Sequence, residues 1–307
     1  MNDRLFRALA SLVPYVASVG EVTDVGRGCI SKAQRVSVCD ESDITKTLFV
    51  KSNSEAFLSN FQCEWRGIEL LSESGMIGVP TPIAVGCAEG RAWLVTQWVQ
   101  QTPSGTDFFA TFGRDLARHH QATLGDRIGL DHDNFLGAAV QVNTPQDSWT
   151  EFFAEHRIGY QLRWVQDQNL VDSQLKADCQ KIINSMDNLL SGRDSGTSLL
   201  HGDLWSGNYL SVIDDADQKG EQAKTAAVLI DPAVYFGCRE AEFGMLQLFG
   251  GCSQDFYQAY DAAFPLPGGW QRRVSVYVLY HLLNHLNLFG GGYLSQCQSL
   301  ASQILRA

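Results

Sequence analysis

Two short apolar runs in the second half of the chain, SLL before His201 and NYLSVI from Asn208, bracket the polar octapeptide HGDLWSGN, and a third run, AAVLI, leads towards Asp231. Runs of this length are too short for helices and read as strands. Polar side chains at strand ends stand on a rigid frame, where reacting groups can be held accurately. Any fold for this chain must therefore set a small cluster of strands inside sequence that is otherwise helical, with Asp203, Asn208 and Asp231 at its ends.

The first hundred residues read differently. EVTDV, QRVSV, TLFVK and RAWLVTQWV are β-type runs, interrupted by one long helical pattern from about Ser54 to Ser74. QQTPSGT at 100–106 is turn punctuation, and the pattern after it is mainly helical. This predicts an N-terminal lobe over 1–100 and a C-terminal lobe over 101–307. With 307 residues and 45% hydrophobic content the chain can bury a core in each. The polar DDADQKGEQAK at 214–224 reads as a hairpin tip. MNDRLFRALASLVPYV has the charge order of a signal peptide, but Arg7 and Pro14 break its apolar run, and an amphipathic first helix is the better reading.

Composition excludes several classes of function. Lys and Arg total 23 against 34 Asp and Glu, a formal charge of -11. Such a chain has no broad attraction for nucleic acid or an anionic membrane. No run approaches the ~18 to 20 apolar residues of a membrane span. The eight cysteines are scattered without a C-x-x-C pair, which argues against zinc and fits a reduced, cytoplasmic setting.

The octapeptide carries the chemistry. Asp203 and Asn208 stand five positions apart, the spacing of a kinase catalytic loop, in which the Asp takes a proton and the Asn binds metal. Asp231, closing a strand, would be the second oxygen ligand. Phosphoryl transfer asks for neutralised phosphate oxygens and an acceptor hydroxyl held in line, which two metal ligands and one free carboxylate supply. The same residues also suit a plain turn capped by Asn208.

Upstream, Lys51 ends the apolar TLFVK, and the following helix has an apolar stripe at Phe57, Phe61, Ile68 and Leu71 with Glu64 filling the missing step. That spacing turns Glu64 inward. A carboxylate among core positions needs a partner, and Lys51 is the natural one. The pair would orient Lys51 towards the phosphates of a nucleotide. The turn GRGCIS offers Gly26 and Gly28 as places where backbone N–H groups approach phosphate, although a simple hairpin turn explains it equally. RAWLVTQWVQ runs into the linker, where Thr96 would guard a pocket and the Gln97 carbonyl and Val99 amide would face adenine.

Taken together, HGDLWSGN, DPAVYFGCREAEFGM, GLDHDNFLG and the Lys51/Glu64 arrangement resemble the fructosamine kinase, or ketosamine-3-kinase, family over essentially the whole chain. The resemblance implies an α+β, two-lobed protein-kinase-like and aminoglycoside-phosphotransferase-like fold: a small antiparallel-sheet N-lobe with one long helix, and a larger, mainly helical C-lobe. It implies transfer of the ATP γ-phosphate, with Mg2+, to a hydroxyl of a sugar attached to an amine, after which the sugar becomes labile and the amine is freed. By position, Asp203 matches the base, Asn208 and Asp231 the magnesium ligands, and Lys51 with Glu64 the phosphate-orienting pair. Trp205 is then a candidate platform for the acceptor sugar. Asp131, Asn134 and Gln141 match a signature placed near the substrate. Arg239 and Glu240 match a motif that also suits a structural ion pair. Cys238 stands where relatives commonly carry His, so no proton relay can be built there. Cys29 matches a cysteine of the glycine turn and suggests a thiol whose oxidation switches activity off, the protein being either a monomer or a redox-linked homodimer.

The reading is thus an ATP-dependent ketosamine kinase. An aminoglycoside or choline-type kinase is the alternative within the same chemistry, and a catalytically silent nucleotide-binding scaffold the alternative outside it.

Overall fold

The alternating apolar residues of the N-terminal part build one five-stranded sheet in the order β1-β2-β3-β5-β4, every neighbouring pair antiparallel. Its strands are β1 (Ser18–Asp24), β2 (Lys32–Cys39), β3 (Thr45–Asn53), β4 (Pro82–Ala88) and β5 (Arg91–Gln97). Side chains alternate across a strand, and β5 sorts its residues by this rule. Trp93 and Val95 pack with Val36, Val38 and Val50 beneath Leu5 and Leu9 of helix α1 (Asn2–Leu12). Ala92 and Leu94 face the other way, against Phe61 of helix α2 (Leu58–Ser72). Both faces of the sheet are covered, and each fully buried Leu or Val contributes about 1.5–3 kcal/mol.

The computed structural model describes residues 2–26, 30–213 and 224–306, and divides the chain into two compact units. The first holds Met1–Gly105 together with Leu210–Asp231, the second Thr106–Tyr209 with Pro232–Ala307. The 210–231 segment belongs to the first unit through backbone bonds. Leu229 N–H donates to the Gly78 carbonyl at 2.8 Å, and Thr102 N–H to the Ser211 carbonyl at 2.8 Å. Its strands β9 (Tyr209–Ile213) and β10 (Thr225–Leu229) pair with each other. The polar tip expected between them lies, at 214–223, outside the described residues.

The second unit is mainly helical. Its elements are α3 (Phe108–Ala122), the β6 and β7 pair (Asn134–Leu136, Ala139–Gln141), α4 (Trp149–Phe152), a π-helical stretch Phe153–Gly159 and α5 (Tyr160–Asp167). They continue through α6 (Ser173–Asn184), α7 (Met186–Leu189), the β8 and β11 pair (Ser198–Leu200, Tyr235–Gly237), α8 (Phe243–Phe249), α9 (Gln254–Ala263), α10 (Trp270–Phe289) and α11 (Leu294–Ile304). Helix α10 is the spine, buried along most of its length from Arg273 to Asn287. No helix among the described residues is long and apolar enough to cross a membrane.

Of the four imidazoles buried in this unit, His201 lies in the octapeptide and the other three are His119, His120 and His281. Burial pushes these last three down to about 4, about 3 and about 3. The unfolded chain, with histidines near 6.5, therefore binds more protons than the folded one as the pH falls below that value. Half-buried Glu64 and buried Glu242, both raised, act in the opposite sense. The imidazoles outnumber the two carboxyls, so stability should fall as the pH drops from about 6.5 towards about 4.5. Thermal melts across this range check it. His281→Gln should flatten the slope, and an unaltered slope would place the acid sensitivity elsewhere.

Candidate active site

In the first unit, strand β3 delivers Lys51 to the α2 side of the sheet. Its register partners are Ala33 on β2 and Leu94 on β5. The lysine is only 8% exposed, and its Nζ donates to Glu64 Oε1 at 2.8 Å and to Asp231 Oδ1 at 2.7 Å. Glu64 lies on the same stripe of α2 as buried Phe61, Ile68 and Leu71, which is why it points inward. Burial alone would pull the Lys51 ammonium down, but the carboxylates of Asp231 and Glu64 overcome this and hold it above its usual value. One cation serves two anions. Burial, with Asp231 close by, pushes Glu64 up to about 7 despite Lys51.

Asp231 follows β10 with φ of +57°, a left-handed conformation that costs a non-glycine residue about 1–2 kcal/mol. Its carboxylate accepts from Lys51 while the side chain stays 42% exposed. At the end of β5, Thr96 is buried, the Gln97 amide donates to the Thr81 carbonyl at 2.8 Å, and the Trp98 amide to the Thr47 carbonyl at 3.2 Å. The Val99 amide has no hydrogen-bond partner among the described residues, so it is open to an acceptor. Gly26 adopts a positive φ of 72° after β1. Gly28 and Cys29 lie outside the described residues.

In the second unit, HGDLWSGN leaves β8 as a tight loop. The amides of His201 and Gly202 donate to Glu242 Oε2 at 2.6 Å and Oε1 at 3.1 Å. Gly202 has φ of +80°, and a Cβ there would run into the Ala233 carbonyl, so only glycine fits. The Asp203 amide donates to His201 Nδ1 at 3.3 Å. Asn208 closes the loop: its Nδ2 donates to the Asp203 carbonyl at 2.8 Å and to Asp203 Oδ2 at 3.2 Å. With the amide nitrogen so used, Asn208 Oδ1 is the atom left to act as a ligand.

Glu242 is the site residue that sequence reasoning passed over. It is buried at the start of α8, and burial raises its carboxyl above the usual range. The signal available was an acid in REAEFGM where the following residues turn apolar.

Other expected residues fall in varied places. Trp205 is half-buried, its ring 5.7 Å from that of Phe249. Asp131 is exposed, and the bond from His132 Nδ1 at 2.7 Å holds its carboxyl below the usual range. Asn134 and Gln141, expected near the substrate, are both buried. Asn134 Nδ2 donates to the Val234 carbonyl at 2.7 Å, and Gln141 Nε2 to Asn134 Oδ1 at 2.8 Å and the Ala233 carbonyl at 3.0 Å. Their amide nitrogens are thus committed inside the protein, to two backbone carbonyls and, from Gln141, to the Asn134 side chain.

Arg239 and Glu240 do not pair with each other. Arg239 meets Asp194 at 2.7 Å, and Glu240 meets Arg273 through two bonds of 2.6 and 2.7 Å. Cys238 is buried, which pushes its thiol up to about 12.

The Asn208 amide oxygen in the second unit and the Asp231 carboxylate in the first are each the kind of oxygen donor a hard divalent cation prefers. Among the described residues no group of three His, Cys, Asp or Glu could cage a metal unaided.

A family model described as fructosamine kinase matches residues 5–307. The chain is 37% identical over 290 residues to a probable ketoamine kinase of Synechocystis sp., covering 94% of this chain and 91% of the relative. It is 38% identical over 289 residues to a chloroplastic protein-ribulosamine 3-kinase of Oryza sativa subsp. japonica, covering 93% and 79%. A solved structure described as a fructosamine-3-kinase of Thermobifida fusca superposes with a TM-score of 0.82 at 30% identity, over 100% of both chains. An aminoglycoside phosphotransferase solved with ADP and hygromycin B gives a TM-score of 0.64 at 15% identity, over 100% of this chain and 98% of the other, a likeness of fold alone.

Proposed function

This chain belongs to the fructosamine kinase family, and on that premise we propose that it transfers the γ-phosphate of ATP to a sugar hydroxyl of a ketosamine. The observation that carries the reading is Lys51, bonded at once to Glu64 and to Asp231. A buried lysine fixed by a helix carboxylate and set beside a second, half-exposed carboxylate suits a triphosphate, whose oxygens Lys51 contacts as a point charge.

In this reading Asp203 accepts the proton of the acceptor hydroxyl. The hydroxyl oxygen forms its bond to the γ-phosphorus as the bond to the β-phosphate oxygen breaks, and ADP leaves. Asn208 Oδ1 and Asp231 are the metal-ligating groups. The cation, magnesium in this proposal, supplies charge neutralisation to the phosphate oxygens when bound. The open Val99 amide and the Gln97 carbonyl receive adenine. Trp205, its ring tilted against that of Phe249, offers its remaining surface to the apolar face of the sugar. The phosphorylated sugar then becomes labile and the amine is freed, a deglycation. Free thiols at the described cysteines fit a reducing compartment, the cytoplasm in this reading.

The test is ATP turnover with magnesium against ribulosyl-lysine, fructosyl-lysine and an aminoglycoside, with the phosphate located by NMR. Ketosamine-dependent turnover with phosphate on a sugar hydroxyl is expected. Turnover with the aminoglycoside alone, or none that depends on an acceptor, would overturn the assignment.

A further inference from the structure

The π-helical stretch Phe153–Gly159 follows α4 directly. Such stretches are rare and concentrate at functional positions. This one carries Arg157 inward until none of it is exposed. Among the described residues no carboxylate lies within ion-pairing distance of its guanidinium. The charge is met by ring faces, those of Tyr235 at 4.2 Å, Phe152 at 4.6 Å and Tyr280 at 5.6 Å. It is also met by the Val142 carbonyl and by Asn143 Oδ1, the latter at 2.8 Å from Nη2. Its Nε has no hydrogen-bond partner among the described residues. A buried cation without a counter-ion is expensive, and a methionine would fill the volume without that expense. Packing alone does not account for it.

The hydrogen bonds leaving Arg157 lead to one place. Asn143, held by the arginine, donates through Nδ2 to Asn134 Oδ1 at 2.8 Å. Asn134 and Gln141 then hold the carbonyls of Val234 and Ala233. Tyr280 O–H donates to Gln141 Oε1 at 2.9 Å and so fixes that amide's orientation. Ala233 N–H in turn donates to the His201 carbonyl at 2.9 Å, two residues before Asp203. Tyr280 also lies within electrostatic reach of both ends: Arg157 favours its ionised form and Asp203 opposes it, although burial dominates.

We infer that Arg157 is a positioning residue for the phosphoryl transfer, acting through the buried Asn143, Asn134, Gln141 and Tyr280 network to hold the backbone that sets Asp203. The inference rests on the assignment of Asp203 as base. Direct contact with substrate is not part of it, because every member of the network is buried.

Tyr280→Phe tests it with the least disturbance, since it removes one hydroxyl from a ring that otherwise stays in place. We expect kcat to fall about tenfold, because misplacing a reacting group by a fraction of an ångström already has effects of this order. The KM values for ATP and ketosamine should stay within about twofold. In an Asp203→Asn background, Tyr280→Phe should bring no further loss, as the two act on one step. Arg157→Lys, which keeps the charge and one donor, should recover part of the kcat lost in Arg157→Met. Hydrogen exchange gives a reading independent of substrate: amides in 199–204 should exchange about tenfold faster in Tyr280→Phe, with those of 254–263 unchanged. Unchanged exchange at 199–204 would overturn the inference, as would equal losses in both backgrounds. Were the wild type inert towards every ketosamine, the assigned function would fall, and exchange at 199–204 would still decide whether the network sets the loop.

Discussion

Asp203→Asn should lower kcat by about a thousandfold, within the 10²–10⁴ range that a positioned general base supplies, while leaving the loop in place. The asymmetry follows from how the loop is built. Asn208 Nδ2 bonds the Asp203 main-chain carbonyl at 2.8 Å, a contact the substitution does not touch, and the asparagine's own oxygen can replace Oδ2 as the second acceptor. Glu242 continues to hold the amides of His201 and Gly202. What disappears is a basic oxygen for the hydroxyl proton. The KM for ATP should stay within about threefold, since removal of a group that acts in the transition state lowers kcat and kcat/KM together. The melting temperature should move by no more than about 4 °C, the equivalent of roughly 1 kcal/mol or less. Single-turnover kinetics and a thermal melt check both halves. Retention of a tenth or more of the wild-type rate would remove Asp203 from the role of base.

The parts of this site that could be read in advance share a property: each is written in side chains at fixed spacing. Glu64 interrupts an apolar stripe at helical offsets, and the loop's Asp and Asn stand five apart. The parts that could not be read are written in main chain or in partners far along the sequence. Strand β4 begins with Pro82 and carries Gly86, and most of its residues are only half-buried, so the alternation that announced the other strands is absent. The 210–231 segment reaches the first unit through backbone bonds to Gly78 and Thr102, which leave no mark on residue type. The π-helical stretch has the composition of any helix. Nothing in the residue types of Asn134 and Gln141 announced that they are buried; their burial follows from their serving the carbonyls of Val234 and Ala233, about a hundred residues later. Arg239 and Glu240, adjacent in sequence, find separate partners in Asp194 and Arg273 for the same reason. Neighbours along a chain turn their side chains in different directions, and adjacency alone predicts no pair.

Lys51→Met is expected to reduce both stability and turnover, and the two losses should come apart in a double variant. Removing the ammonium leaves the half-buried Glu64 without a cation, and breaking a buried pair costs at most about 3–5 kcal/mol. Here the cost should depend on pH. Glu64 is already raised by burial with Lys51 beside it, and loss of the ammonium raises it further, so at pH 6 it takes up a proton and the destabilisation is small, whereas the penalty grows as the pH rises to 8 and beyond. Glu64→Gln alone should be neutral or stabilising above pH 7, because a group whose folded pKa is raised destabilises the fold once it is forced to ionise, and Lys51 keeps Asp231. Lys51→Met combined with Glu64→Gln should therefore regain most of the stability lost at pH 8. Turnover should not return with it: loss of a preorganised charge at a transferring phosphoryl group lowers kcat/KM by about 10²–10³, and glutamine restores no cation. Denaturant unfolding at pH 6 and pH 8, beside steady-state kinetics with ATP varied, separates the two effects. If the double variant recovered its turnover along with its stability, Lys51 would be no more than a counter-ion to the carboxylates around it, and the nucleotide would have to be held by other residues.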